Sequence, residues 1–368
     1  MIQQHSVSRD DSVYECFPDI TKTKSGKLIC VFRESAHHAD LNNSRLVLKE
    51  SLDNGKTWGE KTALTEKHPA SYAYNCPRIS CMDDGELIII CDKLDRTKKE
   101  DYLVNCEQHL FRSHDDGKTW SEPEVIPCKG IVPDKYRVLS NGRHMFALHE
   151  RNPETKKLQQ CAYYSDDEGK TWTRVIVASD ERYELCEASI VEAEPGVLVA
   201  FMRENSALGY SCKKAISHDF GTTWEGVYDT NIDCCHRPVV QRCANGMYFM
   251  TYRYMQGGKG WLGSWTQNFF GAFFDHSSLL ATTRKGHGIR VFPIAYDRSP
   301  KSDMGYSGWV ELEDGRFYVV TYLLDDAPLA QIRGYEFTWN DVILPYPRRI
   351  FISGYIHRTI RKHRASVF

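Results

Sequence analysis

Four arginines, one glutamate and two tyrosines stand at matched distances from six glycines in this 368-residue chain. Nine positions before Gly26, Gly85, Gly142, Gly196, Gly246 and Gly315 lie Phe17, Cys76, Pro133, Glu187, Arg237 and Tyr306. Seven positions after the same glycines lie Arg33, Asp92, His149, Arg203, Arg253 and Tyr322. Guanidinium groups gathered at one place suit a carboxylate, because each planar fork donates two parallel hydrogen bonds to it. The expected ligand is therefore anionic. Its expected binders are Arg33, Arg203, Arg253 and Arg237, with His149, Asp92, Glu187 and Tyr306 at the same rim. Tyr322 reads as a packing residue of the last unit.

The glycines themselves say why these residues share a rim. Each ends a turn, such as Asp84-Gly85 or Asn141-Gly142, between two extended apolar runs, which is a strong hairpin signal. At 3.3 Å per residue, eight or nine positions span about 25–30 Å, so residues equally far before and after the turn return to one level. A second pattern recurs four times: Ser51-x-Asp53-x-Gly55-x-Thr57-Trp58, then Ser113 to Trp120, Ser165 to Trp172 and Ser217 to Trp224, with starts 62, 52 and 52 residues apart. Each box follows a short apolar run, so each marks a turn between strands. There the Asp accepts backbone hydrogen bonds and the Trp packs between units.

Hairpin, third strand, box turn and fourth strand make a four-stranded antiparallel propeller blade. The predicted fold is all-β, a six-bladed β-propeller forming one domain over residues 1–344, with a basic tail over 345–368. Blades five and six lack the box. The sixth lacks a fourth strand, which the segment from Ile2 to Ser8 is expected to supply, closing the ring and leaving few exposed edges. The boxes are expected on the rim opposite the arginines.

Bulk composition excludes several classes. Lys and Arg number 47 against 49 Asp and Glu, a formal charge of −2, so nothing in the overall balance points to nucleic acid. No run reaches the length of a membrane span. The first residues lack a basic region followed by an apolar core, so a cytoplasmic location is expected. Thirteen cysteines without a C-x-x-C pair read as reduced and buried. The spacings of His37, His38, His149 and His236 match no zinc signature, and neither metal nor cofactor is expected. The tail, with Arg348, Arg349, Arg358, Arg361, Lys362 and Arg364, reads as a solvated basic segment.

Boxes in phase with six hairpins resemble the sialidase superfamily, over roughly residues 12 to 340. Gly305-Tyr306-Ser307 is similar to the segment that carries the family's nucleophilic tyrosine. Glu187, followed past its hairpin by Arg203, is similar to the family's partner glutamate and one of its carboxylate-binding arginines. The resemblance implies Tyr306 as nucleophile, Glu187 as its base and Asp40 as acid/base in the loop after the second strand. The chain departs from the family where Tyr-Arg-Ile-Pro opens the first inner strand, since Tyr14-Glu15-Cys16-Phe17-Pro18 stands there. Arg33 and Arg253 are the candidates to replace that arginine. For the family's third arginine, Arg284 and Arg290 are candidates by order.

The function implied is an exo-glycoside hydrolase acting on a carbohydrate with a terminal acidic sugar. Two alternatives use the same scaffold. One is a lyase on a uronic-acid glycan, with His149, Arg33 and Tyr306 supplying base and charge neutralisation. The other is a propeller that binds glycan without turnover.

Overall fold

The computed structural model describes residues 1–39, 44–67, 72–95, 106–256 and 266–343. Runs rich in Ile, Val, Leu and Phe form the second strand of each unit and are buried along almost their whole length, as in Leu28–Ser35 and Leu87–Asp95. Burial on both faces explains why these strands read as continuous apolar stretches rather than alternating ones.

Six four-stranded antiparallel sheets result. Blade 1 comprises Tyr14–Lys22, Leu28–Ser35, Arg45–Ser51 and Thr62–Ala63; blade 2 comprises Tyr72–Cys81, Leu87–Asp95, Cys106–Ser113 and Glu124–Ile126. Blade 3 comprises Arg137–Val138, His144–Arg151, Leu158–Ser165 and Thr173–Ala178; blade 4 comprises Leu185–Glu194, Val197–Glu204, Ser211–Ser217 and Glu225–Asp233. Blade 5 comprises Cys235–Arg242, Tyr248–Gln256, Thr266–Phe274 and Ile289–Tyr296. Blade 6 takes Met304–Glu311, Arg316–Leu323 and Gln331–Thr338 from one end of the chain and Gln3–Ser8 from the other. Gln3 pairs with Glu336 and Ser6 with Arg333, so the ring closes through the strand expected from the sequence.

The boxes fold as small hydrogen-bonded knots. Asp53 accepts from Thr57 N at 2.9 Å and Thr57 Oγ1 at 2.6 Å, while Ser51 Oγ accepts from Gly55 N at 2.9 Å. Asp115, Asp167 and Asp219 repeat the same contact with the Thr four residues on. Ser51 pairs with Leu28 beside the hairpin, which puts the boxes on the rim away from Arg33. The first box also rivets blade 1 to blade 6. Trp58 Nε1 donates to Tyr318 Oη at 3.2 Å, and a Cβ on Gly55, where φ is 86°, would fall 2.2 Å from the Tyr318 ring.

Blade 5 replaces its box with the short helix His276–Leu280, capped by Asp275 accepting from Ser278 N at 2.8 Å. Aromatic packing joins blades 5 and 6 instead. Phe249 meets Trp309 at 4.9 Å and Phe317 at 5.2 Å between ring centroids, and Phe273 meets Trp339 at 4.2 Å. Such pairs add about 0.5–1.5 kcal/mol each beyond their area burial.

Polar links between inner strands floor the axis. Buried Asp19 pairs with Lys135 at 2.9 Å and Arg78 at 3.5 Å, and accepts from Ile79 N. Arg78 donates to Ser307 O at 2.6 Å, and Gln241 donates to Trp309 O. All thirteen cysteines are free thiols, and all but Cys81 and Cys234 are buried. No helix among the described residues is long and apolar enough to cross a membrane.

Candidate active site

Five of the six inner strands break their ladders at the same height. The register shifts between Cys16 and Asp19, Asn75 and Arg78, Cys186 and Ser189, His236 and Val239, and Gly305 and Ser307. Within each shift one residue takes a positive φ: Phe17 (57°), Cys76 (40°), Glu187 (48°), Arg237 (51°) and Tyr306 (42°). These are bulges, which re-aim a side chain that a regular pleat would direct elsewhere. Blade 3 differs from the sequence expectation. Val132 (φ 56°), rather than Pro133, takes this conformation, because the pyrrolidine ring locks φ near −65°. Non-glycine residues rarely adopt such φ values, and six at one level concentrate backbone strain around the axis.

The residues opposite each bulge form the second ring. Cys16 pairs with Arg33, Asn75 with Asp92, Cys186 with Arg203, His236 with Arg253 and Gly305 with Tyr322, while Ile131 bridges His149. The first of these pairs bears on the missing family arginine. Where the motif would carry Arg, this chain has Glu15 and Cys16, and a guanidinium stands directly across the ladder from Cys16 at Arg33. Glu15 is buried among Ser8, at 2.7 Å, and Lys61, at 3.0 Å, tying blade 1 to the closing strand.

Tyr306 donates its hydroxyl hydrogen bond to Glu187. Arg203 Nη1 reaches both Glu187 oxygens, at 3.0 and 2.9 Å. Arg237 and Arg253 each hold a guanidinium carbon 5.5 Å from the Tyr306 ring centroid. Burial acts to raise the Glu187 pKa, but the charges of Arg203, Arg237 and Arg253 outweigh it and hold the carboxyl well below its ordinary range. Burial, with Glu187 and Cys76 alongside, pushes the Tyr306 phenol well above 10 against the pull of Arg203 and Arg253. The pair thus rests as a carboxylate and a neutral phenol. Burial lowers His149 to about 4, leaving a neutral imidazole whose Nδ1 accepts from Glu187 N at 3.5 Å.

A cavity of about 660 Å³ opens above this pair, lined by Phe17, Arg33, His38, Cys76, His149, Glu187 and Tyr306 among others. Arg33 stacks on Phe17 at 4.5 Å and donates to Asn75 Oδ1 at 2.9 Å and His38 O at 2.6 Å. A larger hollow of about 790 Å³ on the hairpin rim is lined by Asp83, Asp84, Lys135 and Arg137 but holds neither Tyr306 nor Glu187.

The expected site residues divide into groups. Tyr306, Glu187, Arg33 and His149 line the cavity, and Arg203 and Arg253 flank the Tyr306–Glu187 pair. Arg237 is fully buried beside the Tyr306 ring, donates to Pro133 O at 2.6 Å and is absent from the cavity lining, to which Arg33 contributes. Asp92 is also fully buried, behind Asn75, which donates to it at 3.1 Å. Tyr322, expected as packing, is fully buried in the core beside Tyr14 and Phe17, and its hydroxyl donates to Asp303 Oδ1 at 2.9 Å. Arg284 and Arg290 sit on the outer part of blade 5, Arg284 beside Asp233 at 3.4 Å and Arg290 paired with Phe273. Asp40 and residues 345–368 lie outside the described residues. Sequence reasoning missed Phe17 as a ring in the site, Asn75, and Asp303. Among the described residues no three His, Cys, Asp or Glu side chains gather as a metal-binding group.

The profile of the BNR repeat-like domain matches residues 75–319, two thirds of the chain. The chain belongs to this BNR repeat-like family. It is similar to a sialidase of Bacteroides fragilis, at 36% identity over 124 residues, 31% of this chain and 22% of that protein. It is similar to a sialidase of Paraclostridium sordellii at 25% identity over 209 residues, 49% of each chain. The chain spans less than half the length of these curated relatives. Among solved structures, a Dyadobacter fermentans protein of unknown function superposes with a TM-score of 0.73 at 22% identity, covering 91% of this chain and 98% of that one. A Hadza microbial sialidase superposes at 0.67 and 17% identity, covering 93% and 69%. The chain is thus a sialidase-like BNR-repeat propeller, a scaffold that supports a sialidase-type glycosidase or a glycan-binding role.

Proposed function

We propose that this protein is a sialidase-type exo-glycosidase that removes a terminal sugar bearing a carboxylate, with Tyr306 as nucleophile and Glu187 as its base. The hydrogen bond from the Tyr306 hydroxyl to Glu187, inside a group of arginines, carries the reading. An anomeric carbon that bears a carboxylate repels an anionic nucleophile, and a neutral phenol escapes that penalty. A buried phenol attacks poorly until a base takes its proton, which is the role of Glu187. Arginine charges make Glu187 a weak base at rest. A bound carboxylate next to them offsets part of that positive field and raises the proton affinity of Glu187 as the sugar arrives.

Arg33, lining the cavity over Phe17, is the direct binder of the sugar carboxylate, and Arg253 adds positive charge beside Tyr306. The sialidase names of two relatives favour the same chemistry. The test is a panel of fluorogenic glycosides of sialic acids, related nonulosonic acids and uronic acids, run beside Tyr306→Phe. Turnover lost in the variant supports the reading. An ultraviolet-absorbing unsaturated product from the uronic acids indicates a lyase. Binding without turnover, insensitive to Tyr306→Phe, indicates a glycan-binding propeller.

A further inference from the structure

We propose that His38, oriented by Asp303, is the residue that protonates the departing glycosidic oxygen and then activates water. The inference rests on the glycosidase reading above and adds the second half of its chemistry. Four side chains from blades 1 and 6 converge beside Tyr306. His38 Nδ1 lies 2.7 Å from Asp303 Oδ2, Tyr14 donates to the same oxygen, and Tyr322 donates to Oδ1 at 2.9 Å. Asp303 precedes Tyr306 by three residues, and its own amide is fixed by Asp297 at 3.0 Å. Burial acts to raise the Asp303 pKa, but hydrogen bonds from His38 and Tyr14 and the charge of Arg253 hold it below its ordinary value.

A carboxylate accepting from Nδ1–H fixes the imidazole tautomer and stabilises the imidazolium. The proton that moves is then the one at Nε2, and among the described residues nothing engages that atom. The ring is about half exposed, lines the same cavity as Tyr306 and Glu187, and packs edge-on against Phe17 at 5.2 Å; Phe17 in turn meets Tyr306 at 4.7 Å. Arg33 holds the His38 carbonyl at 2.6 Å, so the side chain is anchored at its backbone as well as at its ring. This is more support than a solvated loop histidine needs.

The protons balance over two steps. As Tyr306 Oη bonds to the anomeric carbon, its proton passes to Glu187, the glycosidic C–O bond breaks, and the leaving oxygen takes the Nε2 proton of His38. A water oxygen then attacks the anomeric carbon and gives a proton to neutral His38. The bond to Tyr306 breaks, and the phenolic oxygen recovers its proton from Glu187. Asp303 is a positioning residue throughout.

The experiment compares the full chain with His38→Ala, Asp303→Asn and Tyr306→Phe on two probes, the 4-nitrophenyl and methyl α-glycosides of N-acetylneuraminic acid. Nitrophenolate departs without protonation, whereas methoxide does not. His38→Ala is expected to lose ~10²–10⁴-fold in kcat/KM on the methyl glycoside. On the nitrophenyl glycoside it keeps kcat/KM within about tenfold, while kcat and KM fall together because water attack has lost its base. Added azide, which needs no base, restores kcat on that probe. Asp303→Asn shows the same split more weakly, and Tyr306→Phe loses both probes. Equal losses on the two probes in His38→Ala and Asp303→Asn overturn the inference and leave the glycosidase reading standing. The split appearing in Asp40→Ala and not in His38→Ala overturns it too. Silence of the unmodified protein on both probes and on the nonulosonic-acid and uronic-acid glycosides of the panel removes both readings together.

Discussion

Replacing Glu187 by Gln separates the two roles that the Tyr306–Glu187–Arg203 group plays. The amide keeps the shape and still accepts the Tyr306 hydroxyl, but it cannot take its proton, so kcat should fall by the ~10²–10⁴ expected for loss of a general base, about 2.7–5.4 kcal/mol of barrier. Stability should fall as well. The Glu187 side chain is 6% exposed and that of Arg203 13%, and the variant leaves Arg203, Arg237 and Arg253 without their shared counter-charge. Breaking a buried ion pair from one side costs about 3–5 kcal/mol. For 368 residues, an unfolding entropy of roughly 0.8 kcal/mol/K turns this into a Tm lowered by about 4–6 °C at neutral pH. The sign with pH follows from the depressed folded pKa. The stabilisation by Glu187 is complete above its unfolded value near 4.5 and is lost as pH falls through the lower folded value. The Tm gap between the two proteins should therefore hold at pH 6–8 and begin to narrow only below about pH 4.5. Calorimetry at four pH values, beside initial rates, measures both effects. An unchanged Tm at pH 7, or a gap that widens in acid, would refute the electrostatic picture whatever the rates do.

Other consequences are as direct. Tyr306→Phe should abolish turnover and leave the far-ultraviolet circular dichroism unchanged; wild-type rates in that variant would remove the phenol from the reaction. Arg33→Met should raise KM for an acidic glycoside, lowering kcat/KM by roughly 10–150-fold for one lost charge-assisted interaction of about 1.5–3 kcal/mol, as read by steady-state kinetics. Gly55→Ala, where the new Cβ meets the Tyr318 ring at 2.2 Å, should destabilise more than Gly142→Ala, which has a similar φ and open space, as compared by thermal melts. The carboxyls of Asp53, Asp115 and Asp167 are pulled to about 2 by hydrogen bonds from Thr57, Thr119 and Thr171. Their contribution is full above about pH 4 and lost towards pH 2, so acid unfolding should begin in that window and shift upward in Thr57→Val.

The ring and its closing strand were legible because turns and ladders have short-range chemistry: Gly after Asp or Asn, continuous apolar runs, and a box whose Thr sits four residues from its Asp. Counting from those glycines found Glu187, Tyr306, Arg33, Arg203 and Arg253, since strand rise is nearly constant. The count slipped at Pro133, where the ring forbids the conformation that Val132 adopts. The bulges themselves were hidden, because Phe17, Cys76 and Arg237 bear no local mark of positive φ; the strain is imposed by their neighbours in the ring. Counting also placed Arg237 and Asp92 at the rim without saying that one lies buried beside Tyr306 and the other behind Asn75. Asp303 escaped because its partners Tyr14 and His38 lie hundreds of residues away in blade 1, and no period connects them to it or to Tyr322.

The seam in blade 6 couples assembly to chemistry. Gln3–Ser8 leaves the ribosome long before Gln331–Thr338 exists, so the early strand must wait, unpaired, until nearly all of the barrel has been translated. Tyr306 belongs to that late blade and Glu187 to blade 4, and nothing but the finished circle brings them into register. A chain cut anywhere between them separates the two partners of the Tyr306–Glu187 hydrogen bond. Under the proposed chemistry, activity would report on completion of the annulus.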